Sequence, residues 1–317
     1  MPRRDAQGFA CMSGHELPPG VVVFERGWLS SNNILCLDAD SSALVDSGYG
    51  THAGQTVELV GSLLQGRPLD CLFNTHLHSD HCGGNAALQA TYPKLQTRVP
   101  PGHAHFVSIW DPVALSYEPT GQFCPRFGFT GLLKPGDEIR MAHRGWEIHA
   151  APGHDPHSVI LFEPQSRTLI SADALWERGF GVVFPELDGA DAFGEVAATL
   201  DLIEHLNPHT IIPGHGRVFA YRPEVLASAR QRLNAFISNP TRHANHAAKV
   251  LLKFKLLEQQ QLRFVDFREW ARCTAHFQRI RESFFASITF EDWVEQLTAE
   301  LVRSAVALRD GELILNA

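Results

Sequence analysis

The segment NTHLHSDHCGGN, at residues 74–85, concentrates side chains that can bind a metal ion. Four potential ligands fall within six residues: His76, His78, Asp80 and His81. If His76 and His78 continue the period of two of a preceding strand, they point to the same side and can share one cation, while Asp80 and His81 turn toward a second. A divalent cation needs several nitrogen or oxygen donors at about 2 Å. These four ligands therefore cannot complete the coordination of two ions.

Three further donors occur singly, each at the end of an expected strand and each beside small residues: His154 in APGHDPHS, Asp173 in ISADAL and His215 in IPGHG. Neighbouring glycines allow the backbone to approach closely. Any one histidine is usually a surface or hydrogen-bonded residue, but number and type of donor together define a metal site. The sequence therefore predicts a centre for two metals, in which zinc is favoured and iron and manganese tolerate the same donors.

Short strands and helices position these donors in the expected fold. Residues 21–50 read as strands broken by turn-forming residues, and the segments that follow alternate between helix and strand. The expected helices lie at 51–64, 84–90 and 191–206, and the expected strands at 71–75, 146–151, 158–164, 168–173 and 210–213. Residues 94–136, rich in proline, glycine and aromatics, are expected to form an irregular wall of the site.

The last third of the chain has a different pattern. Helices are expected at 223–238, 246–262 and 290–309, and Asp310-Gly311 predicts a closing hairpin. An apolar face of the last helix is expected to pack in a core: Phe290, Trp293, Val294, Leu297, Leu301 and Val302. We predict an N-terminal extension at 1–20, a catalytic domain at 21–220 and a small, mainly helical C-terminal domain at 221–317.

The order HxHxDH, His, Asp, His resembles the metallo-β-lactamase superfamily over roughly residues 20–220. The resemblance implies an α/β fold, the αββα sandwich, with metals at the sheet edges. It also implies the ligand sets: the first metal is held by His76, His78 and His154, the second by Asp80, His81 and His215, and Asp173 bridges the two. Two such cations would make hydroxide available at neutral pH. We expect a bridging hydroxide, oriented by Asp80, to attack an ester-like carbonyl.

The ligand set narrows the choice among relatives. The best-known zinc β-lactamases use a cysteine in the second site and diiron flavoproteins replace the second histidine by glutamate, whereas this chain has His81 and His78. The set resembles glyoxalase II-like thioesterases and lactone-hydrolysing members. Two alternatives are a persulfide dioxygenase with one iron and a nuclease of the transfer-RNA processing type, and metal content or oligonucleotide cleavage would reveal them.

The tail and the segment after Asp173 offer candidates for substrate binding. Glyoxalase II binds the carboxylates of glutathione with basic residues of its tail. The candidate counterparts in this tail are Arg242, His243 and Lys249. The tail also resembles the winged-helix appendage of some lactamase-like hydrolases. Three aromatic residues could line an acyl pocket or merely pack: Trp176, Phe180 and Phe184.

Composition limits the partners and the compartment. A formal charge of −8 argues against a nucleic-acid partner, and no apolar run is long enough to cross a bilayer. The first residues lack the apolar stretch of a secretory signal, and the six cysteines lack CxxC spacing, so we expect reduced, buried thiols in the cytoplasm. The expected partner is a small-molecule substrate, and a homodimer is left open.

Overall fold

The computed structural model describes residues 17–317. Most of the predicted extension at 1–20, with Cys11, lies outside the described residues. Within 17–317, no helix is both long and apolar enough to cross a membrane.

The first half of the chain forms a six-stranded sheet with helices on its outer face. Its strands lie side by side in chain order: β1 (Val21–Phe24), β2 (Asn33–Leu37), β3 (Ser42–Val45), β4 (Cys71–Phe73), β5 (Gln96–Val99) and β6 (Gly131–Leu132). Pairing is antiparallel from β1 to β3 and parallel from β3 to β6. The helices of this half are α1 (Ala53–Leu64), preceded by a 3₁₀ turn at Gly50–His52, α2 (Ser79–Cys82), α3 (Asn85–Thr91), α4 (Pro101–Ile109) and α5 (Tyr117–Thr120).

The second half forms another six-stranded sheet, again with its strands in chain order. They are β7 (Glu138–Met141), β8 (Arg144–Ala150), β9 (Val159–Glu163), β10 (Thr168–Ala172), β11 (Thr210–Pro213) and β12 (Phe219–Ala220). Only the β10–β11 pair is parallel, because α6 (Phe184–Leu187) and α7 (Ala192–Leu206) connect these strands. The helix α8 (Pro223–Ser238) follows β12.

Alternating side chains join these layers into a sandwich. On β9, Leu161 packs in the core between the two sheets, whereas Ile160 packs in the core that includes α7 and α8. On β2, Ile34 belongs to the inter-sheet core and Leu35 to the core beneath α1. Because successive side chains of a strand point to opposite faces, each sheet buries one face against its partner and the other against helices. The predicted αββα sandwich is confirmed.

The C-terminal region is mainly helical and adds a small sheet. Its elements are α9 (Pro240–Gln259), β13 (Gln261–Arg263), α10 (Phe264–Cys273), α11 (Ala275–Phe284), α12 (Phe290–Arg303), β14 (Ala307–Asp310) and β15 (Leu313–Asn316). The sheet order is β13-β15-β14, and Gly311 forms the hairpin turn with φ 57°. The predicted hairpin is therefore confirmed. The predicted boundary near residue 221 stays a prediction, and α8 packs with α7 in the outer layer of the sandwich.

Several expectations from the sequence were wrong. Residues 94–136 are not irregular throughout, since they contain β5, α4, α5 and β6. Pro101 starts α4, because proline is tolerated in the first turn of a helix, where its missing N–H is not needed. The helix expected at 246–262 begins at Pro240, where the Asn239 side chain accepts a hydrogen bond from the Arg242 N–H.

The helix expected at 290–309 ends at Arg303, and α10 and α11 were not predicted. The cysteines also differ from the expectation of uniformly buried thiols. Cys36 and Cys82 are buried, but Cys273 is exposed.

Trp293 anchors the C-terminal core. It is 1% exposed and its ring packs on those of Phe277 and Phe285 at centroid distances of 4.6 and 5.1 Å. We expect Trp293→Ala to lower the free energy of unfolding by about 3–5 kcal/mol, because a large buried ring leaves a cavity. Urea unfolding measures this, with Leu308→Ala, at a 55% exposed site of β14, as the control. Equal effects of both changes would contradict the packing role.

Candidate metal centre

The seven predicted donors meet where strands of the two sheets end. His76 and His78 follow β4, and α2 then carries Asp80 and His81. The other three donors each follow a strand of the second sheet: His154 after β8, Asp173 after β10 and His215 after β11. The structure therefore brings together residues that are far apart in the sequence.

The first donor group comprises His76, His78 and His154, whose ligand atoms all lie within 4.8 Å of one another. The Nδ1 atom of His78 faces the Nε2 atom of His154 at 2.8 Å. The ring of His76 lies edge-on to that of His78, at a centroid distance of 4.7 Å. Three imidazoles thus converge on one point.

The second donor group comprises Asp80, His81, Asp173 and His215, again within 4.8 Å of one another. Nε2 of His215 lies 3.1 Å from Oδ2 of Asp80, and Nε2 of His81 lies 3.3 Å from Oδ1 of Asp173. His81, Asp173 and His215 are buried, and Asp80 is partly buried. The two groups divide the donors as the resemblance implied.

Asp173 lies between the two groups. Its Oδ2 atom is 3.4 Å from Nε2 of His154 in the first group and 3.8 Å from Nε2 of His215 in the second. A Cβ atom on Gly214 would lie 2.1 Å from Oδ1 of Asp173, so only glycine fits there. The expected close approach of the backbone is therefore present at this position.

Hydrogen bonds from outside the donor groups orient the imidazoles. Buried Asp46 accepts from the Thr75 backbone N–H at 2.9 Å and its hydroxyl at 2.8 Å, and its Oδ2 atom lies 2.7 Å from Nδ1 of His81. The carbonyl of Val182 lies 2.6 Å from Nδ1 of His154. With Nδ1 used in this way, Nε2 of both histidines is left to face the centre.

The electrostatics of the two groups differ. Burial lowers the pKa of His76 well below its ordinary value and, with His154 nearby, lowers the pKa of His78 to about 4. Burial also acts to lower the pKa of His81, but Asp173 and Asp46 outweigh it and raise that pKa well above its ordinary value. His76 and His78 are thus neutral imidazoles, whereas the second group carries carboxylates that compensate positive charge.

The donors fit divalent metal ions. The Nε2 atoms of His76 and His81 are buried and have no hydrogen-bond partner among residues 17–317. Such buried nitrogens are costly without a partner, and the 2.8 Å approach of two histidine nitrogens in the first group also favours a shared ligand. Imidazole and carboxylate donors suit zinc, iron and manganese.

A cleft of about 800 Å³ opens onto both donor groups. Trp28 stacks on His215 with ring centroids 5.6 Å apart, and Trp176 contacts Asp173 through an Nε1–H hydrogen bond of 3.1 Å. Phe180 and Phe184 also line the cleft, so all three aromatic candidates after Asp173 face it. The opposite wall comes from α9, through Lys249, Val250, Lys253, Phe254 and Leu257.

The prediction that basic residues of the tail bind substrate carboxylates is wrong for His243. Of the three residues, only Lys249 lies in the cleft wall. His243 is buried against the rings of Phe193 and Phe236, and Arg242 is not among the residues that line the cleft. Lys249 lines the cleft but pairs with Glu300 at 2.8 Å.

The sequence pattern did not single out Asp46 as a residue of the site. The sequence does contain a pattern that points to it: Asp46 directly follows β3 in SALVDSG, as Asp173 follows β10 in ISAD. A polar residue at the carboxyl end of a buried strand beside β4 could have been grouped with the donors.

We expect Asp46→Asn to weaken metal binding by about 10- to 100-fold, because the amide cannot act as a charged acceptor for His81. Equilibrium dialysis against buffered zinc measures the affinity. Asp40→Asn, at an exposed position, is the matched control. An affinity equal to that of the control would show that Asp46 does not support the centre.

Comparison with known proteins agrees with the sandwich fold. A family model described as the metallo-beta-lactamase superfamily matches residues 26–215, more than half of the chain. The chain belongs to this superfamily.

Similar proteins include hydroxyacylglutathione hydrolases. That of Thermosynechococcus vestitus is 25% identical over 182 residues, which are 57% of this chain and 60% of the relative. That of Brucella anthropi is 26% identical over 229 residues, or 72% and 69% of the two chains. The chain thus spans less than two thirds of the first of these relatives.

A solved structure extends the likeness of fold through the C-terminal region. A metallo-beta-lactamase family protein from Thermus thermophilus superposes with a TM-score of 0.57 at 16% identity, covering 95% of this chain and 100% of that one.

Proposed function

We propose that this protein is a metal-dependent hydrolase with two metal ions, most simply zinc. His76, His78 and His154 would hold the first ion, and Asp80, His81 and His215 the second, with Asp173 shared between them. The observation that carries this proposal is the position of Asp173, within 3.4 Å of His154 and 3.3 Å of His81. The names of the similar hydroxyacylglutathione hydrolases support the hydrolase class.

Two bound cations would lower the pKa of a water molecule and polarise the carbonyl under attack. The chain's own residues supply position and access. Asp80 lines the cleft and is 3.1 Å from His215, where it can orient the water as well as bind the second ion. The rings of Trp28 and Trp176 both pack against that of His215, at centroid distances of 5.6 and 5.5 Å.

We further propose that the bond cleaved is an ester-like carbonyl bond, in a thioester or a lactone. A small-molecule substrate fits a cleft of about 800 Å³, which is within the usual range for such sites. The cleft wall is rich in apolar side chains from α9 and from the segment after Asp173, and this favours an acyl compound over a nucleic acid. A cytoplasmic location, independence of membranes and a homodimer remain predictions from the sequence.

Elemental analysis of protein purified without chelator, paired with a panel of thioesters and lactones, tests the proposal. Two equivalents of zinc per chain with turnover of either substrate class would support it, and the preferred class would identify the leaving group. One iron per chain and no hydrolysis would instead indicate the dioxygenase. Oligonucleotide cleavage would indicate the nuclease.

A further inference from the structure

Arg232, on α8, is a cation in the cleft wall without a carboxylate partner. It lines the same cleft as the donor groups, and its side chain is partly buried. Among residues 17–317, no Asp or Glu forms an ion pair with it. Arg230, two residues earlier on the same helix, is instead paired with Asp201 at 2.7 Å and Glu204 at 2.6 Å. One arginine of α8 is thus neutralised and the other is not.

The surroundings fix the Arg232 side chain. Its guanidinium lies over the rings of Phe180 and Phe236, with 5.8 and 5.3 Å to the ring centroids. Its Nη2 atom donates to Nε2 of His246 at 2.8 Å, whereas its Nε atom is buried and has no acceptor in the described chain. The guanidinium is therefore held in place, and part of its capacity to donate hydrogen bonds is unused.

His246 does not offset the charge of Arg232. Burial, with Arg232 next in importance, lowers the pKa of His246 to about 3, so its ring stays neutral and its Nε2 atom accepts from Arg232. Lys249 lies close enough to add to the same effect, although it is itself paired with Glu300. This end of the cleft is therefore positive.

A partly buried cation without a counter-ion is unfavourable, and the aromatic rings compensate it only in part. An anion that binds next to Arg232 would lower the free energy of this partly buried charge. A guanidinium presents parallel N–H groups that match the two oxygens of a carboxylate. The apolar rings that it lies over, those of Phe180 and Phe236, reduce its contact with water and strengthen such a contact.

We propose that Arg232, held by His246, binds a carboxylate group of the substrate. The inference rests on the proposed function and narrows its substrate class to esters or thioesters that carry a carboxylate away from the scissile carbonyl. Arg232 is then a specificity residue contributed by α8, separate from the donor groups.

Two matched substrate pairs test this proposal and locate the carboxylate. The first pair compares the succinyl and succinamyl thioesters of N-acetylcysteamine, which differ in charge on the acyl side. The second compares the acetyl thioesters of 3-mercaptopropionate and 3-mercaptopropionamide, which differ on the thiol side. We expect wild type to prefer the charged member of one pair by about 10- to 100-fold in kcat/KM, mainly through KM, as for a hydrogen bond to a charged group.

Arg232→Gln should abolish that preference, and Arg230→Gln should retain it. Arg232→Lys keeps the charge but loses the planar pair of donors, so its preference should fall by about 3- to 10-fold. If the Gln variant does not fold, the Lys variant decides the matter. A wild type without preference in either pair, or an Arg232 variant that keeps the full preference, would overturn the proposal.

Calorimetric titration of the metal-loaded protein with glutarate and glutaramide separates this proposal from the proposed function. Glutarate should bind wild type at least about tenfold more tightly than it binds Arg232→Gln, and glutaramide should show no such difference. Glutarate binding that depends on Arg232 without turnover of any substrate would sustain the anion site and reject the hydrolase. Turnover of a substrate, combined with glutarate binding that does not depend on Arg232, would sustain the hydrolase and reject the anion site.

Discussion

Replacing Asp173 by alanine is expected to lower kcat/KM by about 10³-fold or more, the effect of several kcal/mol of lost transition-state stabilisation. Asp173 is the one donor whose carboxylate lies within 4 Å of histidines in both groups. Its loss removes a ligand from each donor group. It also leaves Asp46 as the remaining carboxylate that raises the pKa of His81. We therefore expect metal content to fall together with activity.

The fold should survive this change, because Asp173 lies after β10 rather than in the core between the sheets. Circular dichroism and elemental analysis on the same sample distinguish loss of the centre from unfolding. Asp201→Ala removes an exposed carboxylate on α7 and should leave metal content and turnover unchanged. An Asp173→Ala protein that retains two metals and full turnover would refute the shared-ligand role.

The donors and the sandwich could be predicted because local patterns encode them. Residues 159–162 of β9 are apolar throughout, as expected for a short strand that is buried on both faces, and the structure places Ile160 in one core and Val159 and Leu161 in the other. The donors from His76 to His81 are close in sequence, and Asp173 and His215 repeat one arrangement, a polar residue soon after a short apolar strand. In both cases the information lies within a window of a few residues.

The parts that could not be predicted depend on contacts between distant segments. Asp46 and His81 are 35 residues apart, and Arg232 meets Phe180 only because α8 packs on the segment after β10. The start of α9 at Pro240 and that of α4 at Pro101 show a different cause, since a proline that breaks a helix and one that begins it look alike in the sequence.

The two donor groups should lose metal at different pH values. In the metal-free protein, Asp173, together with Asp46 for His81 and Asp80 for His215, raises the pKa of these two histidines above the ordinary value against the effect of burial. Protons therefore compete with metal for both near neutral pH. Metal affinity of the second group should fall by about tenfold per pH unit for each proton displaced.

The first group should resist the same change. The pKa of His78 is lowered to about 4, and that of His76 well below its ordinary value, so protons compete for these rings only in more acidic solution. Between pH 8 and pH 5, at fixed free zinc, we expect metal content measured by dialysis to decline from two equivalents toward one. Simultaneous loss of both equivalents would contradict this order. Asp46→Asn should lower the pKa of His81 by removing one of its two carboxylates, and so weaken the pH dependence of the second group as well as its affinity.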